Sequence, residues 1–252
     1  MNRSIYTTTS GGIAALARLE QVAQNVANVN TAGYKAGRLV FRVRPLDETA
    51  AGPTTAPFAG TAAQVVEVAT IRDFSTGPIR TSGNPLDVAI NGDGFFVVST
   101  PQGERYTRQG TFSMDPEGFL VTPAGLRVQG DGGEINLRGS GNGSAPSIGD
   151  DGTVVVDRSE VGRLRIVSFG DRPALVPEGN ALFSAAPGTS PTPVEQSKVR
   201  LAAEAFEGSN VDAVAGMVEL VDVTRGFESY MSAMKRLDEI VQRAINDIGR
   251  VG

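Results

Sequence analysis

From Leu220 to Val251 apolar side chains return at alternating three- and four-residue intervals: Leu220, Val223, Phe227, Tyr230, Met234, Leu237, Val241, Ala244, Ile248 and Val251. Only a helix lines such positions up on one side, because a strand turns its side chains over at every second residue. Arg225, Glu228, Lys235, Asp238 and Arg243 fall off the row, and no proline interrupts it. Ser209 and Asp212 mark its start as a near capping box, with a carboxylate at the positive end of the helix. At about 1.5 Å per residue such a helix runs roughly 60 Å, too long for a β domain of ordinary size to cover.

A second row, at Ala15, Leu19, Val22, Val26 and Val29, lies near the amino terminus, preceded by Gly11 and Gly12 and closed by Asn30-Thr31-Ala32-Gly33. It is shorter than the carboxy-terminal row by more than a third, so pairing within one chain leaves part of the longer stripe uncovered. Burying one large apolar side chain is worth about 1.5–3 kcal/mol, which makes neighbouring subunits the simplest cover. The expected subunit interface is therefore Leu19, Val22, Val26 and Val29 with Leu220, Val223, Phe227, Tyr230, Met234, Leu237, Val241 and Ile248. Both arms are expected to order on assembly. Asn25 and Asn28, close to Asn30, either fix register by amide hydrogen bonds across that interface or simply end the helix in solvent.

Between the rows the period changes. Ala50 to Gly60 carries two prolines and no repeat, and reads as an extended connector. After Ile71 short apolar or alternating runs (Leu86–Ile90, Gly94–Ser99, Arg105–Arg108, Thr111–Met114, Phe119–Val121) are separated by turns such as Asn91-Gly92-Asp93-Gly94 and Asp115-Pro116-Glu117-Gly118. Those residues supply positive φ or a preset proline φ, so tight hairpins follow. Strands continue at Thr153–Val156 and Leu164–Phe169, beyond a loose Gly/Ser segment from Gly139 to Ser147. The fold class read from this pattern is α+β: terminal helices forming a coiled-coil-like assembly domain, with an intervening antiparallel β-rich domain. The boundaries are 1–35 for the amino-terminal helix, 36–70 for the connector, 71–204 for the β-rich domain and 205–252 for the carboxy-terminal helix.

The chain has no cysteine, histidine or tryptophan, which removes disulfides, thiol nucleophiles and imidazole chemistry together. A Ser/His/Asp triad and a Cys/His zinc site are both impossible. Gly92-Asp93-Gly94 and Gly130-Asp131-Gly132-Gly133 lead into strand-like runs, and lack the helix start and Lys-Ser/Thr of a phosphate cradle. Asp87, Asp93, Asp115, Asp131, Asp150 and Asp151 lack EF-hand spacing and read as turn formers. No enzyme, cofactor or metal is expected. A formal charge of -5 without a dense basic stripe argues against nucleic acid. No apolar run reaches membrane-spanning length, so no membrane insertion is expected, and Met1 to Ser10 lacks the pattern of a secretory signal.

The segment Val22-Ala23-Gln24-Asn25-Val26-Ala27-Asn28-Val29-Asn30-Thr31-Ala32-Gly33-Tyr34-Lys35 resembles the amino-terminal signature of the flagellar rod and hook proteins. Phe74-Ser75-Thr76-Gly77-Pro78-Ile79-Arg80-Thr81, Leu86 to Phe96, Tyr106-Thr107-Arg108-Gln109-Gly110, Asp115-Pro116-Glu117-Gly118 and Glu207-Gly208-Ser209-Asn210-Val211 continue the likeness over nearly the whole chain. Two members of the family have this size, a proximal and a distal rod protein. Asn2-Arg3-Ser4-Ile5-Tyr6 and Gly130 to Ile135 look more like the proximal one. The resemblance implies a structural subunit exported unfolded by the flagellar type III apparatus, without a cleaved signal, to the periplasmic rod. Its implied partners are other proximal rod subunits, the distal rod protein and the export apparatus. A secreted β-domain binding module whose helices merely dimerise is the competing reading.

Overall fold

A computed structural model of the chain describes residues 2–45, 64–138, 145–170, 175–194 and 200–248. The centre of the connector and most of the Gly/Ser segment lie outside the described residues. The chain divides into two compact units: one made of 1–27, 37–71 and 212–252, the other of 28–36 and 72–211.

The first unit contains helix α1 (Asn2–Ala27), strands β1 (Gly37–Pro45) and β2 (Gln64–Arg72), which pair with each other, and helix α2 (Ala213–Ile248). Asp212 starts α2 by accepting the amide hydrogens of Val214 and Ala215 at 2.8 and 3.0 Å. Ser209 instead accepts the amide of Val211, so the cap sits three residues later than the sequence suggests. Helix α1 runs straight through Gly11 and Gly12, because their missing side chains leave a notch filled by the ring of Tyr230 from α2. An Arg18–Glu219 ion pair at 3.4 Å lies farther along the two helices, which therefore run antiparallel.

This arrangement corrects the expected coiled-coil-like domain. Strand exceeds helix among the described residues, and the two unequal helices pack on each other in company with β1 and β2. A three-four row marks any helix that buries one face, and becomes a supercoil only when its partner sustains the same repeat over many turns. α1 offers a glycine notch where that repeat would need a large side chain.

The second unit is an antiparallel β body. After β3 (Ile79–Thr81) and β4 (Val88–Asn91) come the hairpin strands β5 (Phe95–Thr100) and β6 (Gly103–Thr107). The short strands β7 (Ser113–Met114), β8 (Leu120–Val121), β9 (Gln129–Gly130), β10 (Gly133–Glu134) and β11 (Ser147–Ile148) follow. β12 (Thr153–Val156), β13 (Ser159–Arg163), β14 (Ile166–Ser168), β15 (Leu175–Gly179) and β16 (Leu182–Ala185) continue the chain. β17 (Thr192–Pro193), β18 (Arg200–Ala203) and β19 (Ala205–Glu207) complete it.

Six of these strands form one sheet in the order β15-β16-β6-β5-β14-β17. β5 is buried on both faces, which explains its unbroken apolar run. Phe96 and Val98 enter a core with Val88, Ile90, Leu120, Val128 and Val154, while Phe95 and Val97 enter a second with Tyr106, Val167, Phe169 and Phe183. Pro177 and Pro193 lie in the two outermost strands, where a missing N–H is tolerated. Carboxy-terminal strands close back on early ones, β18 on β4 and β19 on β3.

Candidate functional site

Glu207 ends β19 opposite Ile79 of β3, so its side chain is set by a strand pair joining distant parts of the sequence. Its Oε1 accepts Lys35 Nζ at 2.6 Å and the Gly77 amide at 2.8 Å, and its Oε2 accepts Arg108 Nη1 at 3.3 Å. The Lys35 and Glu207 side chains are both 0% exposed. Lys35 Nζ also donates to the Ser75 carbonyl at 2.7 Å, and the Arg108 guanidinium lies 5.2 Å from the centre of the Phe95 ring. Burial pushes the Lys35 ammonium below its ordinary value, against the pull of Glu207, and Arg108 pushes the same way. Two buried cations share one carboxylate here, so removing the anion would leave both uncompensated.

Backbone contacts tighten the cluster. The Gly33 amide donates to the Glu207 carbonyl at 2.7 Å from a turn at φ +68, a conformation suited to glycine. A Cβ on Gly77 would run into the Gly208 carbonyl oxygen. Asn210 accepts the Ala36 amide through Oδ1 at 2.8 Å, and donates through Nδ2 to the Asp73 carbonyl at 2.8 Å and to Ser75 Oγ at 3.0 Å. Arg72 Nη1 donates to the Tyr34 hydroxyl and the Lys35 carbonyl, each at 3.2 Å. Both Glu207 oxygens are engaged and hidden, which suits a fastening and leaves no face for a substrate.

Sequence reasoning quoted Lys35, Arg108 and Glu207 inside motifs without assigning them a role. The available signal was one charged residue in each of three glycine-bearing segments, with one negative sign among the three.

The expected interface residues fall out differently. Val22 and Val223 are buried, and Leu19, Val26, Leu220, Phe227, Tyr230 and Met234 are half-buried. Leu237, Val241 and Ile248 continue the α2 row, but their side chains lie outside the described residues. Asn25 Nδ2 donates to the Gly37 carbonyl at 2.9 Å, and its Oδ1 accepts the Gly37 amide at 2.9 Å, so it fastens the start of β1 within the chain. Asn28 Oδ1 accepts the Thr31 hydroxyl at 3.1 Å in the turn after α1, and Val29 beside it is half-buried. A second apolar face, absent from the sequence reading, is exposed. Val214, Met217, Val218 and Val221 stand on the side of α2 opposite Val223; Val214 is 74% exposed where Val223 is 9%. Ile13 and Leu16 are likewise exposed on α1.

Three family models match the chain: flagella basal body rod protein over residues 5–35, the flagellar hook protein FlgE/F/G D1 domain over 89–156, and the flagellar basal body rod FlgEFG protein C-terminal region over 202–247. The flagellar basal-body rod protein FlgF of Caulobacter vibrioides is 33% identical, with 100% of both chains covered. FlgG of Bacillus subtilis is 32% identical over 98% of this chain and 99% of its own, and FlgF of Escherichia coli 31% over 97% of each. Lys35 closes the first matched segment and Glu207 lies in the third, so the fastening joins the family's two terminal regions. The chain belongs to the flagellar basal-body rod protein family, as a structural subunit of the flagellum's basal body.

Proposed function

We propose that this chain is a subunit of the proximal rod, delivered to the periplasm through the flagellar type III apparatus without a cleaved signal. There it packs against copies of itself, other proximal rod subunits and the distal rod protein, and it transmits torque. Its role is structural, with no reaction catalysed. The observation that carries this reading is the second apolar face of α2. Pairing with α1 satisfies the row through Val223, while Val214, Met217, Val218 and Val221 stay in water although they sit together. Four clustered aliphatic side chains on one helix face are what a protein contact needs and what a lone chain avoids. Ile13 and Leu16 offer a separate exposed pair on α1, and Leu237, Val241 and Ile248 extend the original row in sequence toward the end of α2. A distal rod position is the second reading, and the similarity to FlgG supports testing it.

Replacing Val218 and Val221 together by lysine tests the reading. The variant protein should fold normally and be absent from purified basal bodies, with motility lost. Normal incorporation would overturn the assigned contact. Cysteine cross-linking from the same positions to proximal or distal neighbours separates the two rod positions, and the chain's lack of native cysteine keeps the products unambiguous.

A further inference from the structure

The chain passes between its two units four times, at 27/28, 36/37, 71/72 and 211/212. The body-side ends of these crossings are bonded to one another. Ala36, at the second, gives its amide to Asn210 Oδ1 and accepts the Asp73 amide at 2.8 Å on its carbonyl. Arg72, at the third, holds the Lys35 carbonyl. Asn210, next to the fourth, donates to the Asp73 carbonyl, and its own amide reaches the Tyr34 carbonyl at 3.4 Å. At the first, Asn28 is held by Thr31 in the turn after α1, and the passage it opens is tied in farther along by Gly33 on the Glu207 carbonyl and by Lys35 on the Glu207 carboxylate.

We infer that Glu207 and Asn210 form a mechanical joint within the β body, tying together the residues at which the chain enters and leaves it, so that a pull on one of those ends is resisted by its neighbours. This rests on the rod reading only for its biological purpose. The physical argument is independent: segments tied side by side yield together, whereas an untied segment is peeled alone at a lower force. Forced opening is governed by an unfolding rate, and a contact that must break before the body yields sets that rate. Asn210 is the sharpest lever. It joins three crossings through neutral hydrogen bonds, and its loss strips Ala36 N and Asp73 O of a partner without leaving a buried charge.

The test is constant-force stretching of the full chain with cysteine-attached handles. One pair, at Gln102 in a body turn and Ser232 on α2, loads the crossings; a control pair, at Gln102 and Asp131, loads the body alone. Asn210→Ala should raise the yielding rate about tenfold or more with the first pair and less than about twofold with the second. Ser75→Ala, which removes one of the Asn210 bonds, should show a smaller change of the same kind. Equal acceleration in both geometries would reduce Asn210 to ordinary stabilisation and overturn the joint. So would wild-type chains that first release a helix-sized length by parting α1 from α2. Absence of the wild-type protein from basal bodies would overturn the rod reading and leave the force result standing.

Discussion

The two units solve the burial problem in opposite ways. The β body hides charge: Lys35, Arg108 and Glu207 are shut inside it, beside cores built on both faces of β5. The helical unit leaves grease in water, with Val214, Met217, Val218 and Val221 exposed on the far side of α2 from its buried row. A buried ion cluster is a poor way to gain stability, but a severe way to penalise any arrangement that separates its members. An exposed apolar face contributes nothing until another surface covers it. The difference sets a unit whose charged and apolar groups are covered within the chain against one that leaves an apolar face to solvent.

The largest expected effect breaks the first half of this contrast. Glu207→Gln leaves two buried cations without their anion, and should lower the free energy of unfolding by about 3–5 kcal/mol, measured from the denaturant midpoint. Converting the cluster to Lys35→Met, Arg108→Met and Glu207→Leu together should recover much of that loss; no recovery would mean that the charges contribute more than mutual compensation. Next comes the helix pair. Gly12→Leu gains helix propensity but drives out the Tyr230 ring, for a net loss of about 1–3 kcal/mol. A cycle with Tyr230→Ala should show strong coupling between the two positions, and additive effects would place the ring elsewhere.

A smaller effect is electrostatic. Because the folded chain holds the Lys35 proton less tightly than the unfolded chain does, stability gains with rising pH between the depressed pKa and the ordinary 10.5. Measured against Lys35→Met, the wild-type denaturant midpoint should climb as pH rises toward 10.5; a fall would mean that the Glu207 attraction outweighs burial. Smallest of all, Val218→Lys should shift the stability of the isolated chain by no more than about 0.5 kcal/mol. A large loss would show that this face is already covered within the chain, and would erase the contrast.

What was legible in the sequence was local. The Leu220 to Met234 row predicted a helix, and turns such as Asn91-Gly92-Asp93-Gly94 predicted hairpins, because both signals lie within a few residues of the structure they cause. Gly11 and Gly12 were legible only as residues preceding the apolar row, because Tyr230, whose ring fills their notch, is at the other end of the chain. The Lys35–Glu207 pair spans 172 positions, and two single charges in separate motifs carry no mark of each other. Strands β1 and β2 occupy the two ends of the segment read as an extended connector, where their pairing depends on a distant register. The outward face of α2 escaped notice because the longer row dominated the same stretch: periodicity favours the most regular stripe and says little about a second one confined to the first turns.

Pro177 and Pro193, at the two borders of the six-stranded sheet, bear on crowding. Any assembly holds protein bodies side by side at high local concentration, the condition under which exposed sheet borders pair edge to edge. A border residue with no amide hydrogen cannot complete a rung with the next copy. Bodies held against one another can then remain separate molecules, leaving cohesion to surfaces other than the sheet borders.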